Sequence, residues 1–206
     1  MTQIFRITHI DNLPFILRHG LYAPNSDVKD PDFRTIGYPT LIDYRKERKV
    51  PIAPGGVLAD YVPFYFWYRS PMLYVIYRGN DPEVIQTPQS EVVYLVSAIE
   101  ALIQNNCQFV FTDRHAKLEY AKFYNNPGDV RDKLQWEWIK SDDWGRQFGP
   151  ERKEMKQAEC LVFNHVPREA ITGIAVRDEV ALNKVQDYLH ESELKIITKI
   201  KPGFYY

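Results

Sequence analysis

The chain is poor in cysteine, in one-sided charge and in long apolar runs, and each shortage closes off a class of protein. Two cysteines among 206 residues, Cys107 and Cys160, cannot frame a disulfide scaffold or fill a four-ligand zinc site, and no metal is expected. Lys and Arg number 26 against 27 Asp and Glu, a net charge of −1, so no broad basic face can dominate the surface and any nucleic-acid contact must be local. No stretch approaches the ~18 to 20 apolar residues that span a bilayer. Arg6, His9 and Asp11 interrupt the first apolar stretch, where a secretory signal needs an unbroken one. The expectation is a soluble, cytoplasmic protein with no membrane partner, in a reducing compartment that suits free thiols. Signature motifs are missing too. There is no G-x-G-x-x-G, no G-x-x-x-x-G-K-[ST] and no G-x-S-x-G.

What is present is apolar and aromatic material, 45% and 14% of the residues, enough for a packed core and too much for a disordered chain. The length suits a single domain over 1–206. Alternation at Ile4 to His9 predicts a strand, followed by a short helix that Asp11 and Pro14 open and Gly20 ends. Residues 21 to 39 read as a long loop, and Leu41 to Lys49 as a short charged helix. The dense run from Val62 to Tyr68 predicts a buried strand. Met72 to Tyr77 fits helix or strand equally. Strands follow at Glu91 to Val96, Gln108 to Thr112, Ala158 to Phe163, Ile171 to Val176 and Lys195 to Ile200. Helices are predicted at Ser97 to Gln104, from Thr112-Asp113 through Lys122, and from Asp178 to Leu189. Irregular mixing of short strands and helices, without βαβ periodicity, indicates an α+β fold.

Several residues are costly where they stand. Glu159 lies in the apolar run Ala158 to Phe163, where a charge needs solvent, a partner or a cleft. Two readings stay open: an edge-strand glutamate in solvent, or a carboxylate at a cleft. His9 ends its strand three residues before Asn12, and the two could offer polar groups to one ligand across a turn; Arg6 lies on the opposite strand face. Arg45 to Lys49 reads as a solvated helix face. Arg69, next to Tyr68, suits phosphate or base contacts. Asp113, Arg114 and His115 sit at a strand-to-helix turn, a common place for ligand contacts. Residues 114–156 carry ten Lys and Arg against eight Asp and Glu, interleaved with aromatic residues that include Trp136, Trp138 and Trp144. Such a segment serves either as a packed excursion or as a stacking platform for single-stranded nucleic acid.

Taken together, these stretches resemble the DarT family of DNA ADP-ribosyltransferase toxins. The resemblance is carried by Ile7-Thr8-His9-Ile10-Asp11-Asn12-Leu13, by Arg45 shortly before Val50-Pro51, and by the run from Gly55 to Phe66 with Arg69-Ser70-Pro71-Met72-Leu73-Tyr74. Phe109 to Ala116 and Gln157-Ala158-Glu159 complete it. It implies the ADP-ribosyltransferase fold, two packed, mainly antiparallel sheets with an NAD cleft and peripheral helices. It also implies NAD consumed as co-substrate without a metal, and single-stranded DNA as acceptor, most often at thymine. A cognate macrodomain antitoxin is the implied protein partner. Glu159 takes the catalytic role, Arg45 a catalytic or NAD-positioning one, and His9 and Asn12 places in the NAD site. Arg6 stands where some relatives carry histidine, and is placed with the cofactor residues. Arg69, Arg114, His115 and Trp144 are the expected DNA contacts. Guanine, RNA or protein as acceptor, and a non-catalytic single-strand binding module, are the rival readings.

Overall fold

A computed structural model describes residues 1–192 and 195–206. At the centre of its sheet, β1 (Gln3–His9) lies between β4 (Val92–Ala98) and β3 (Tyr61–Tyr65). Beyond β3 come β7 (Glu159–Phe163), β5 (Phe109–Thr112) and β6 (Phe123–Tyr124); beyond β4 come β9 (Gly173–Val176) and β10 (Ile197–Ile200). Neighbours are antiparallel except β9 and β10, which run parallel. A small ribbon of β2 (Leu21–Tyr22) and β8 (His165–Val166) stands apart.

The α+β class is as expected, but the two sheets are halves of one eight-stranded ladder. They join at a single register pair between β1 and β3, Phe5 with Tyr65. Pro63 accounts for the thin seam. Its nitrogen has no hydrogen to donate, and its carbonyl accepts from Arg6 Nη1 at 3.0 Å instead of from a backbone N–H.

Both faces of the sheet are covered, so its central strands are apolar without strict alternation. Val93 and Leu95 of β4 pack with Ile4 against α1 (Leu13–His19), α4 (Ile99–Gln104) and α8 (Glu179–Ser192). Val92 and Tyr94 face the other side, with Phe5, Leu73 and Ile76 of α3 (Pro71–Arg78), and Tyr205. Each such aliphatic side chain contributes about 1.5 to 3 kcal/mol by leaving water. The local signals decide Met72 to Tyr77 as helix. Ser70 caps α3 by accepting from Leu73 N, Pro71 occupies its first turn, and Gly79 closes it at φ 58°.

One expected helix does not form. Residues 113–122 make a turn-rich loop, because their backbone donors bond elsewhere. Asp113 N reaches Lys122 O, His115 N reaches Glu154 O, and Lys122 N returns to Asp113 Oδ1. Asp113 closes a loop here and caps no helix. The segment that follows carries α5 (Val130–Lys133), α6 (Trp136–Lys140) and α7 (Pro150–Lys156). Trp136 packs edge-on against Phe66 and Trp144 against Tyr74. The buried Lys156 ammonium donates to Ser141 O at 2.7 Å and Ile139 O at 3.3 Å, fastening α7 to the end of α6.

Candidate active site

Glu159 opens β7, which lies between β3 and β5, so it is no edge-strand residue and only 2% of it is exposed. The pleat puts it on one face with Leu161 and Phe163, which pack with Leu58, Tyr61 and Val50. A carboxylate there must be fully partnered. Arg45 Nη1 stands 2.9 Å from Oε2. Ala116 N donates to Oε1 at 3.0 Å, and His115 Nδ1 lies 3.0 Å from the same oxygen. Burial by itself would raise the carboxyl pKa. The Arg45 guanidinium, His115 and the Ala116 N–H outweigh it and hold the group at about 2.

Arg45 projects from α2 (Pro39–Glu47), a helix whose other residues are exposed or half-buried. The expected solvated face describes Lys46, Glu47 and Lys49, which are exposed, but Arg45 is buried. Arg6 approaches from β1, its pKa lowered to about 10 by burial and by the neighbouring Arg45. Tyr65 stands directly across the ladder from Glu159. Burial and then the Glu159 charge push its hydroxyl well above the ordinary tyrosine value.

Arg6, Arg45, Tyr65, His115 and Glu159 line one end of a cavity of about 580 Å³. Phe15, Leu21 and Tyr22 line it too, as do the loop residues Val28, Phe33, Thr35 and Ile36. Its size and its apolar walls with few convergent polar groups match a small-molecule site. Two buried donors, Arg45 Nη2 and Arg6 Nε, have no partner among the described residues. Unspent guanidinium hydrogens beside a deprotonated carboxylate suit a ligand carrying both phosphate and hydroxyl groups. Among the described residues, no group of three or more His, Cys, Asp or Glu is placed to hold a metal.

The other sequence candidates are dispersed. His9 accepts from Asp11 N through Nδ1, and its Nε2 lies 3.2 Å from Glu91 Oε2. Asn12 is wholly buried and bonded to Thr8 and Arg34. Neither His9 nor Asn12 lines the cavity. Arg69, at φ 52°, gives Nε to Tyr205 O and Nη1 to Asp142 Oδ2 and lies over the Tyr206 ring. Trp144 packs on Tyr74 in the same aromatic group. Arg114 lies over Tyr120 and within 3.5 Å of Glu154. His115, an expected DNA contact, belongs to the carboxylate cluster. Tyr65 was missed; its only signal was its place in the aromatic run, because the register that puts it opposite Glu159 spans distant segments.

Residues 5–206 match the family model described as "ssDNA thymidine ADP-ribosyltransferase, DarT". The chain belongs to the DarT family. A DNA ADP-ribosyl transferase of Thermus sp. strain 2.9 is 46% identical over 85% of this chain and 81% of its own length. That of Escherichia coli O127:H6 is 35% identical over 98% and 93%. Among solved structures, Thermus sp. 2.9 DarT in complex with ADP-ribosylated ssDNA superposes with a TM-score of 0.92 at 40% identity, covering 100% of this chain and 96% of that one. The same protein in complex with NAD+ gives 0.87 at 39% identity, with 100% and 98% covered. Both superpositions cover the whole chain, and no described helix is long and apolar enough to cross a membrane.

Proposed function

We propose that the protein transfers ADP-ribose from NAD to thymidine in single-stranded DNA, as the toxin of a toxin–antitoxin pair. The observation that carries this reading is Glu159, a deprotonated carboxylate buried at the end of a dinucleotide-sized cavity beside two guanidinium groups with unspent donors. Membership of the DarT family supports NAD as co-substrate and single-stranded DNA as acceptor.

The residue types fit the chemistry. Cleavage of the nicotinamide glycosidic bond sends the electron pair to nicotinamide and leaves positive charge on ribose C1′. Glu159, ionised throughout the physiological range, accepts from the adjacent 2′-hydroxyl and offsets that charge where water is excluded. As thymine N3 forms its bond to C1′ it must lose a proton about as tightly held as that of a tyrosine hydroxyl, and that proton passes to the Glu159 carboxylate or to water. Arg45, with Nη2 free, is the group placed to stabilise the resulting anion. Using an unpaired base avoids the cost of opening a duplex.

The loop 113–122 forms the cavity rim through His115 and presents Arg114 and the exposed Tyr120, and we assign the approach of DNA to this side. Arg69 and Trp144 act indirectly, by holding the excursion against α3 and the C-terminal aromatic residues. The partner is a macrodomain antitoxin that removes the mark. A fusion protein of Thermosipho africanus, 24% identical over 99% of this chain, is described as a DNA ADP-ribosyl transferase joined to a DNA ADP-ribosyl glycohydrolase. The cytoplasm, where single-stranded DNA is exposed, is the compartment of action.

Incubation with NAD and a panel of short oligonucleotides, followed by mass spectrometry, tests the reading. The expected product is one added ADP-ribose on single strands containing thymidine. Modification of guanosine alone would shift the acceptor, and no modification of any DNA would remove the activity.

A further inference from the structure

We infer that Asn12 is a positioning residue for NAD that acts through the backbone of Arg34 and makes no contact with the dinucleotide. The inference rests on the reading of the cavity as the NAD site. Between β2 and α2 the chain runs from residue 23 to residue 38 without strand or helix, yet Val28, Phe33, Thr35 and Ile36 from this stretch form a wall of the cavity. A loop of this length has no ladder to fix it. Ala23 N and Asn25 N donate to Asn164 O and Ala59 O and hold its start, and the side chain of Asn12 holds its later part. Asn12 Nδ2 donates to Arg34 O at 2.9 Å, and Arg34 N donates to Asn12 Oδ1 at 2.8 Å. The carboxamide thus pairs with both backbone groups of one residue, as a neighbouring strand would.

Asn12 also ties this wall to the sheet. Its Nδ2 donates to Thr8 Oγ1 at 2.9 Å, and Thr8 lies on β1 and lines the cavity. Asn12 itself is fully buried and is not part of the lining. Both amide hydrogens and the carbonyl oxygen are spent inside the protein, which leaves no donor for a ligand. Fixing Arg34 fixes Phe33 and Thr35 on either side of it. Asp11 adds a weaker tie from the same turn, since its Oδ2 lies 2.9 Å from Arg34 Nη1 on an exposed side chain. The three-residue step from His9 to Asn12 therefore builds the wall of the cavity from behind.

The test measures binding of carba-NAD+ by calorimetry, and of an unmodified oligonucleotide, to wild type and four variants. Asn12→Asp keeps the shape and loses both donors. Arg34→Pro removes the N–H that Asn12 accepts and leaves the Asn12 side chain intact. Arg34→Ala keeps both backbone groups and removes only the guanidinium. Asn12→Asp and Arg34→Pro are each expected to weaken carba-NAD+ roughly tenfold, the scale of one lost buried hydrogen-bonded pair, and their combination to weaken it no further. Arg34→Ala should bind carba-NAD+ within about twofold of wild type. Oligonucleotide affinity should stay unchanged in all four, a separation that general loss of structure would not produce. Should Asn12→Asp impair carba-NAD+ binding while Arg34→Pro does not, or should the two losses add, Asn12 touches the dinucleotide and the inference is overturned. A wild-type protein that binds no carba-NAD+ would instead overturn the functional reading itself.

Discussion

Glu159 and α2 face each other across the active site and are held by opposite means. Glu159 sits in the middle of the ladder, with a backbone N–H, an imidazole and a guanidinium on its two oxygens. Apart from Arg45, α2 has no buried residue, and exposed or half-buried polar bonds hold it at both ends. Tyr38 and Thr40 reach Asp81 and Glu83, while Tyr44 and Arg48 reach the carbonyls of residues 117 to 119. Such bonds contribute little net stability each, because water competes for every partner. The Glu159 carboxylate thus rests on rigid sheet, and apart from Arg45 the cover of the cavity rests on contacts that break at little cost. Among the described residues, the Arg45–Glu159 pair is the one buried side-chain bond between Glu159 and α2.

The largest effect should come from the rigid side. Glu159→Gln keeps the volume and removes the charge that the oxocarbenium-like ribose needs, so initial rates of transfer to an oligonucleotide should fall by about 10² to 10³. Retention of most of the activity would move the electrostatic role elsewhere.

Arg45→Ala should leave a buried carboxylate uncompensated and cost about 3 kcal/mol. In thermal unfolding this is a loss of roughly 6 to 12 °C for a chain of this size. Lys46→Ala, one residue along on the exposed side, should change stability by no more than about 0.5 kcal/mol. Equal, small effects of the two substitutions would place Arg45 in solvent.

The same contrast has a pH signature. The Glu159 carboxyl is held at about 2, below its ordinary value, so it contributes stability that is complete above its unfolded-state pKa. That stability should be lost as the pH falls from about 4.5 towards 2. The melting temperature of wild type should therefore drop across this window more steeply than that of Glu159→Gln. Parallel curves would mean that the carboxyl titrates normally.

The smallest effect belongs to the polar latch of α2. Tyr44→Phe removes the hydroxyl that bonds Lys117 O and should cost about 1 kcal/mol or less in the same unfolding experiment. A loss as large as that of Arg45→Ala would make the two regions equally rigid.

This division also explains what could be read from the residues alone. The strands carrying Arg6, Tyr65 and Glu159 were legible because aromatic and β-branched runs signal buried strands directly, and a glutamate inside such a run stands out. The caps of α3, Ser70, Pro71 and Gly79, were present in the sequence and outweigh an ambiguous period. Residues 113–122 were misread because an aspartate after a strand signals a helix cap and a loop closure alike. The meeting of His115 with Glu159 depends on pairing between β5 and β7, which no local pattern encodes. Asn12 was visible as a polar residue in a turn, but its partner lies 22 residues away in a segment without periodicity.

The central claim is that the Glu159 carboxylate lies against the ribose of NAD. A crystal structure of this protein with carba-NAD+ tests it most directly. A carboxylate oxygen within about 2.6 to 3.2 Å of the 2′-hydroxyl on the nicotinamide ribose is the result expected. A dinucleotide bound outside the cavity, or a Glu159 still bonded only to Arg45, His115 and Ala116 with no ribose beside it, would contradict the account.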